Sequence, residues 1–576
     1  MQAVVKNKYE KGTQQVWILL DKRRSALAEA KVYQVAANAF HAEGVRTIFG
    51  LTGDGNMHWE AALAALPDVR SFHVRHEHAA CAMATAYAQA SGDVGVASVT
   101  CGPGLTQIMT ALATAVQAKV PLVVFAGEAP INATWYNQYI DQAPLVTGTG
   151  AVYIAARSKK VVLSSIQEAF IIARSRRIPV VLGLPLDMQQ EFLADTDYVP
   201  SLDVLPEAPA FSPSAELTRK IVERISNARR VMIIAGRGAL GAVEACQRLA
   251  EVTDGGLTAT LPVRGIFDGH PRDLGITGGF AHEVTREAFS QADLIVAVGT
   301  SLTRHTSDLN ILFQPEQVIQ IDNNPQFFRH GQVPASLHVI ADARLAVEAI
   351  CAQLGGKRPS SSEWDIPAFA RRVLTEPADT AEYAEPLNAL DPRLVASRLD
   401  AVLPKDWAMV SVAGHQSYFA SHFYGRKAKD FLAIREFGAI GNGLSYAIGR
   451  AAYRPNQPVV LFEGDGGFLM HIQELETLVR SGLKILIIIF NDGAYGSEIH
   501  KLRADGVSEH GAVFGFGNLA AIARGFGLDG HTVTDSAQLA ELARSFEQGT
   551  GSALWDIRIS DQVMAPTMRR QTKRSK

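Results

Sequence analysis

Short runs of consecutive apolar residues alternate along this chain with amphipathic stretches, and many of the apolar runs stop at a glycine-rich turn. Val459 to Phe462 is one such run. It leads into Gly464-Asp465-Gly466-Gly467, a turn too rich in glycine for the middle of a helix or strand. Ile472, Leu475, Leu478 and Val479 then recur at helical spacing on one face. A second apolar run, Ile485 to Phe490, ends at Asn491-Asp492-Gly493. Strand, turn, helix, strand and turn in that order make one βαβ unit of a parallel sheet. Both turns fall at carboxyl ends of strands, the edge at which open α/β sheets bind ligands.

The same alternation organises the rest. Residues 28–190 carry a helix over Val32 to Ala42 and strands at Arg46 to Gly50, Val94 to Val99, Pro121 to Ala126 and Ile178 to Leu184. Residues 191–212, richer in Pro, Asp and Ser, read as a linker. A second block, 213–355, has strands at Val231 to Ala235, Leu257 to Leu261, Asp293 to Gly299 and Val318 to Asp322. Residues 356–385 read as another linker. The last block, 386–562, adds strands at Ala408 to Val412 and Ser552 to Ile557 around the opening stretch. Residues 1–27 read as an extension and 563–576 as a basic tail. The expected fold is three doubly wound α/β domains with mostly parallel sheets.

Composition narrows the class. A chain of 576 residues is too long for one core. A net charge of -3 gives no reason to expect nucleic acid or a membrane as partner. The four cysteines, Cys81, Cys101, Cys246 and Cys351, form no CxxC pair, which argues for a reducing compartment and against a thiolate zinc site. The apolar run from Val16 to Leu20 is too short for a signal peptide core or a membrane span. The expected location is the cytoplasm.

Candidate chemistry gathers on a few turns. Asp465 and Asp492 can converge on one point beside amides that suit a diphosphate. Carboxylates, carbonyls and phosphate oxygens suit Mg²⁺ or Ca²⁺ rather than zinc. Glu77, in Arg75-His76-Glu77-His78, precedes the alanine-rich stretch Ala79 to Ala90 and reads on its own as a helix-start carboxylate. His76 and His78 are two apart and belong to no HExxH, so they do not read as metal ligands. Thr100-Cys101-Gly102-Pro103-Gly104 is another strand-to-helix turn. Gly236 to Gly241 is a GxGxxG in strand-turn-helix context, but the next strand runs into Pro262-Val263-Arg264 with no acid for a ribose, which disfavours NAD. The basic tail reads as a solvated terminus or, more sharply, as a lid over an anionic ligand.

From about residue 28 to 562 the chain resembles the thiamine-diphosphate enzymes of the pyruvate decarboxylase, pyruvate oxidase and acetolactate synthase superfamily, nearest to the acetolactate-synthase-like members. The resemblance implies a pyrimidine-binding, a central and a diphosphate-binding domain in that order. It implies Asp465, Asp492 and the Ala494 carbonyl as metal ligands. Asp492 stands where the motif carries Asn or Asp. It also implies Gly414, His415, Gln416, Gly464, Gly466, Gly467, Tyr495 and Gly496 around the diphosphate. Gly438 and Ile440 resemble the carbonyl and the apolar wedge that hold the cofactor bent, and Glu77 the carboxylate on its aminopyrimidine ring. With Glu77 and Asp465 in different domains, the resemblance implies a homodimer or homotetramer with sites shared between subunits. FAD is compatible with the central turn and not compelled by it.

The expected reaction starts from a 2-oxo acid such as pyruvate, forms an enamine and passes it to a carbonyl acceptor. Gln138 resembles the glutamine of acetolactate synthases, although Asn137 and Tyr139 replace its usual neighbours. Glu498 falls where decarboxylases carry an acid; it reads as a proton donor, an acceptor-positioning group or a helix-start carboxylate. His500 and Lys501 bind a substrate anion or face solvent. The alternatives are a decarboxylase that releases an aldehyde and a 2-hydroxyacyl-CoA lyase that uses the basic tail. A cofactor-binding subunit without turnover is disfavoured, because Glu77 and both acidic turns are all present.

Overall fold

A computed structural model of the chain describes residues 29–133, 135–194, 197–207, 209–325, 327–328, 333–356, 364–384 and 389–574. The extension expected over 1–27 lies outside the described residues. The chain divides into two compact units, Met1–Pro206 and Glu207–Lys576. Together they contain three six-stranded sheets, one in the first unit and two in the second, and all pairs within these sheets are parallel. The composition dictates this. Strands such as Val231–Ala235, Leu294–Val298 and Ile485–Asn491 are buried along their whole length. That burial requires helices on both faces of a sheet.

The sheet of the first unit runs Arg70–His73, Thr47–Gly50, Gly95–Val99, Leu122–Glu128, Pro179–Pro185, Val152–Ala155 in space. The last sheet of the second unit runs Phe431–Ile434, Ala408–Val412, Val459–Gly464, Ile485–Asn491, Ala553–Arg558, Asp529–Val533. Both have the same connectivity, and in each the chain reverses direction across the sheet between its first and third strands. The remaining sheet runs Asp273–Ile276, Gly256–Ala259, Val231–Ala235, Leu294–Val298, Val318–Asp322, Leu337–Ile340, and reverses between its first and fourth strands. Such reversals open a crevice at the carboxyl edge, where ligands bind in open α/β sheets.

Both expected linkers contain more structure than their composition suggests. In the first, Phe192–Ala194 pairs antiparallel with Glu29–Lys31, and Ser201–Val204 forms a helical turn. In the second, Ile366–Thr375 is a helix with Ile366, Phe369, Ala370 and Val373 buried. Pro367 sits in its first turn, where a missing N–H costs nothing, and Asp365 caps it by accepting from the Ala368 N–H. Among the described residues no helix is long and apolar enough to cross a membrane, and all four cysteines are buried and unpaired.

The basic tail is folded. Pro566–Arg574 is a helix whose arginines reach buried acids. Arg569 clasps Asp379 with both terminal nitrogens, and Arg570 reaches Asp308 at 2.7 Å and the Gly279 carbonyl. Each acid has a second arginine, Arg393 for Asp379 and Arg286 for Asp308. These two tail cations are therefore taken up inside the fold, which removes them as support for a lid over an anionic ligand.

Candidate active site

The reversal crevice of the last sheet is bordered by the turns after Ala408–Val412 and Val459–Gly464. Gly414, at φ 138°, holds a backbone conformation that favours glycine, and a Cβ there would stand 2.2 Å from the end of the flexible Gln416 side chain. The next residues fold inward. His415 is buried, its Nε2 accepts the Ala565 N–H at 2.9 Å, and its ring meets that of His500 at 4.7 Å. Burial pushes His415 down to about 3 and His500 to about 4, so both imidazoles are neutral at pH 7. Gln416 lies beside Gly464, where a Cβ would be 3.3 Å from its Oε1.

Across the crevice Asp465 opens a short helix, Asp465–Met470, and is 2 % exposed. The Gly493 N–H donates to its Oδ2 at 2.9 Å and to Asn491 Oδ1 at 3.1 Å, so the two acidic turns are tied to each other. Asp492 Oδ1 accepts the Ala494 N–H at 3.3 Å, and its Oδ2 would stand 2.5 Å from a Cβ at Gly496. Burial raises Asp465 to about 7. Asp492 is raised well above its ordinary value, first by burial and then by the Asp465 charge. Among the described residues neither carboxylate has a cationic partner. Two crowded carboxylates, Asp465 buried and Asp492 half-buried, are costly without a counter-charge unless a cation joins them. All their donors are oxygen, which fits a hard divalent ion. The described residues hold no cluster of three or more His, Cys, Asp and Glu side chains for a metal, so a backbone carbonyl such as that of Ala494 would have to complete the set.

Tyr495 and Phe514 stack edge-to-face at 5.2 Å over Gly466, where a Cβ would lie 2.6 Å from the Tyr495 ring. Gly438, at φ 75°, is exposed and faces open space, and Ile440 beside it is half-buried. Their turn meets the end of the Asp465 helix, since a Cβ at Gly441 would stand 3.0 Å from Met470. Glu498 lies one turn into Gly496–Asp505; its side chain is 55 % exposed and paired only loosely with Lys501, at 3.5 Å. His500, by contrast, points inward and is 2 % exposed.

Glu77 and Gln138 belong to the first unit. Glu77 begins the helix Glu77–Ser91, His76 caps that helix, and a Cβ at Gly104 would come within 3.5 Å of Glu77 Oε1. Gln138 folds over the Gly102 turn, where a Cβ would meet its carbonyl at 2.2 Å. Its Oε1 accepts from Cys101 Sγ at 3.3 Å and from the Tyr136 hydroxyl at 3.4 Å.

The sequence reasoning missed Asp54. It lies in Gly53-Asp54-Gly55, after the strand Thr47–Gly50 and on the reversal crevice of the first sheet. It is exposed, and its charge helps raise the Tyr136 hydroxyl to about 12, after burial and the neighbouring Cys101. The missed signal was a second GDG at the end of a strand.

The glycine motif of the central sheet is closed upon itself. Gly236 and Gly238 donate to the Val298 and Gly299 carbonyls at 2.9 Å each, and a Cβ at Gly236 would lie 2.3 Å from the Gly299 oxygen. The following helix starts only at Val243, past the last glycine. This arrangement does not fit a flavin pyrophosphate on a helix start, and no step is derived through FAD.

Three segments of the chain match models of one enzyme family. Residues 30–145 match the thiamine pyrophosphate enzyme N-terminal TPP binding domain, 218–350 the central domain and 411–557 the C-terminal TPP binding domain. The probable 2-ketoarginine decarboxylase AruI of Pseudomonas aeruginosa is 30% identical over 88% of this chain and 90% of its own length. The probable acetolactate synthase 2, chloroplastic, of Oryza sativa subsp. japonica is 26% identical over 94% of this chain and 84% of its own. The probable acetolactate synthase large subunit of Methanocaldococcus jannaschii is 28% identical over 80% and 79%. With both ligand-binding sheets and the central sheet matched in order, the chain belongs to the thiamine pyrophosphate enzymes.

Proposed function

We propose that the protein uses thiamine diphosphate and Mg²⁺ to remove CO₂ from a 2-oxo acid and then releases an aldehyde. The observation that carries this reading is the pair of crowded carboxylates without a cationic partner among the described residues, buried Asp465 and half-buried Asp492, with the open acid Glu498 in the first turn of the next helix. When bound, thiamine diphosphate supplies the nucleophilic carbon that adds to the 2-oxo carbonyl and accepts the electrons left by CO₂. The protein supplies the rest. Asp465, Asp492 and the Ala494 carbonyl would hold the metal, and the Gly466 and Gly467 amides would donate to the diphosphate. Gly414, His415 and Gln416 form the opposite wall, and Tyr495 with Gly496 closes over the turn. His415 is neutral and tied through Nε2, so it shapes this wall rather than neutralising phosphate charge.

Ile440 would pack against the cofactor, and the Gly438 carbonyl would accept from its amino group. Glu77 would hold a proton against the aminopyrimidine ring. As Glu77 and Asp465 lie in different units, a homodimer with sites shared between subunits is part of this proposal. Glu498 would hold the proton that the former carbonyl carbon takes up in place of CO₂; release of the aldehyde then also requires that the hydroxyl proton leave and that the carbon's bond to the cofactor break. The relative named for 2-ketoarginine decarboxylation supports this outcome and makes a guanidino 2-oxo acid a sensible test substrate. A second reading is carboligation to a carbonyl acceptor, which the acetolactate synthase relatives favour. Gln138, held by Cys101 and Tyr136, would then position the acceptor.

Product analysis by NMR separates the two. Holoenzyme given pyruvate, branched and guanidino 2-oxo acids is expected to form aldehyde, and Glu498→Gln to lower that yield by about tenfold or more. A 2-hydroxy ketone as the main product, with Glu498→Gln unimpaired, favours carboligation instead.

A further inference from the structure

Glu463 has no part in the chemistry described above, yet two segments beside the Asp465 and Ile440 turns are fitted to its carboxyl group. It is the last residue but one of Val459–Gly464, two positions before Asp465, and it is 1 % exposed. Its Oε1 accepts the Gly443 N–H at 3.2 Å, and the Leu444 N–H is a second donor. These two residues begin the helix Gly443–Tyr453, whose own capping position, Asn442, provides no side-chain cap. Helix starts leave N–H groups that need acceptors, and here the acceptor comes from a neighbouring strand.

The glycines show how closely the parts fit. A Cβ at Gly443 would stand 2.3 Å from Glu463 Oε2, and one at Gly467 would stand 3.1 Å from Oε1 and 3.5 Å from the Gly441 nitrogen. Gly467 lies two residues after Asp465, and Gly441 follows Ile440. One carboxyl group therefore lies against Gly467, two residues past Asp465, and accepts from Gly443, three residues past Ile440. Among the described residues its buried Oε2 has no hydrogen-bond partner. An isolated buried oxygen is a cost to folding, so stability alone does not account for an acid here.

We infer that Glu463 is a positioning residue that sets the spacing between the Asp465 turn and the Ile440 turn. The inference rests on the reading of those turns as the cofactor's. Bending the cofactor requires the diphosphate anchor and the wedge to hold a fixed separation, because catalysis by orientation is lost with small misplacements.

The test compares full-length Glu463→Gln, Glu463→Leu and Gly443→Ala proteins. Three quantities are read: amide hydrogen exchange at residues 438–444 without cofactor, thiamine diphosphate affinity with Mg²⁺ by calorimetry, and melting temperature. Gln keeps the Oε1 acceptor and is expected to match the native protein within about twofold in exchange and affinity. Leu removes the acceptor and is expected to speed exchange at Gly443 and Leu444 by about tenfold and weaken cofactor binding by about tenfold, at an equal or higher melting temperature. Gly443→Ala keeps the acid but displaces it, and is expected to weaken binding likewise; it also serves if the Leu protein fails to fold. Native exchange and native affinity in Leu or in Gly443→Ala would overturn the inference, as would a lower melting temperature with unchanged affinity. If the native protein fails to bind thiamine diphosphate, the cofactor reading falls, while the exchange measurement still decides whether Glu463 holds the turn.

Discussion

The Gly493 N–H donates to Asp465 Oδ2 at 2.9 Å, so the turn after Ile485–Asn491 is fastened to the carboxylate that opens the turn after Val459–Gly464. Asn at position 465 would keep an acceptor for that N–H and remove the charge. Asp465→Asn is therefore expected to fold, and to bind Mg²⁺ and thiamine diphosphate about a hundredfold or more weakly by calorimetry. The sign of its effect on the cofactor-free protein follows from burial, which raises Asp465 from 3.8 to about 7. An acid raised by folding costs the native state increasing stability as pH climbs from 3.8 through about 7. The melting temperature of cofactor-free Asp465→Asn should accordingly exceed the native value at pH 7.

Acid sensitivity has a different source. Burial pushes His415 and His422 down to about 3 and His500 to about 4, so all three fold as neutral imidazoles. Such groups contribute stability above their unfolded pKa near 6.5 and lose it as pH falls towards their folded values. Between pH 6.5 and 5 each should cost on the order of 1 kcal/mol. Melting curves over that range are expected to drop, and His422→Gln to flatten the slope. An unchanged slope contradicts the assignment.

The tail arginines are structural. Arg569→Ala leaves the buried Asp379 with Arg393 alone, at 3.5 Å, and should destabilise by about 1–3 kcal/mol, allowing for the partial exposure of the arginine. Acyl-CoA affinity should not change in this variant. A tail that clamps an anionic ligand would show the opposite pattern, lost affinity at native stability.

Asp54 is exposed on the reversal crevice of the first sheet beside the Tyr136 and Gln138 pair. Asp54→Asn is expected to lower turnover about tenfold or more with cofactor affinity unchanged, as fits a group on the substrate side. A loss of cofactor affinity would place it elsewhere.

The fold was legible where strands are buried on both faces. Val231–Ala235, Val318–Asp322 and Ala408–Val412 stand at the ends read from the sequence, because a short, mostly apolar run of strand length between polar or turn-forming stretches has few other uses. Arg70–His73 and Val152–Ala155 are edge strands, half polar or half exposed, and carry no such signal. Ile366–Thr375 was hidden by Pro367, which marks a break in a helix interior but is tolerated in a first turn. Val479, expected on a buried face, is 43% exposed, since its helix is confined to Glu474–Ser481 and turns at the left-handed Gly482. Within the candidate site the acidic turns could be read because their chemistry is local. The tail's anchorage on Asp379 and Asp308 could not, because those partners lie about two hundred residues or more away in sequence.

CO₂ release by the reconstituted protein tests the central claim most directly. Native protein with thiamine diphosphate and Mg²⁺ should release CO₂ from at least one of a panel of 2-oxo acids, and Glu77→Gln should lower that rate about a hundredfold or more while still binding Mg²⁺ and diphosphate. No CO₂ from any 2-oxo acid, or an undiminished rate in Glu77→Gln, would contradict it.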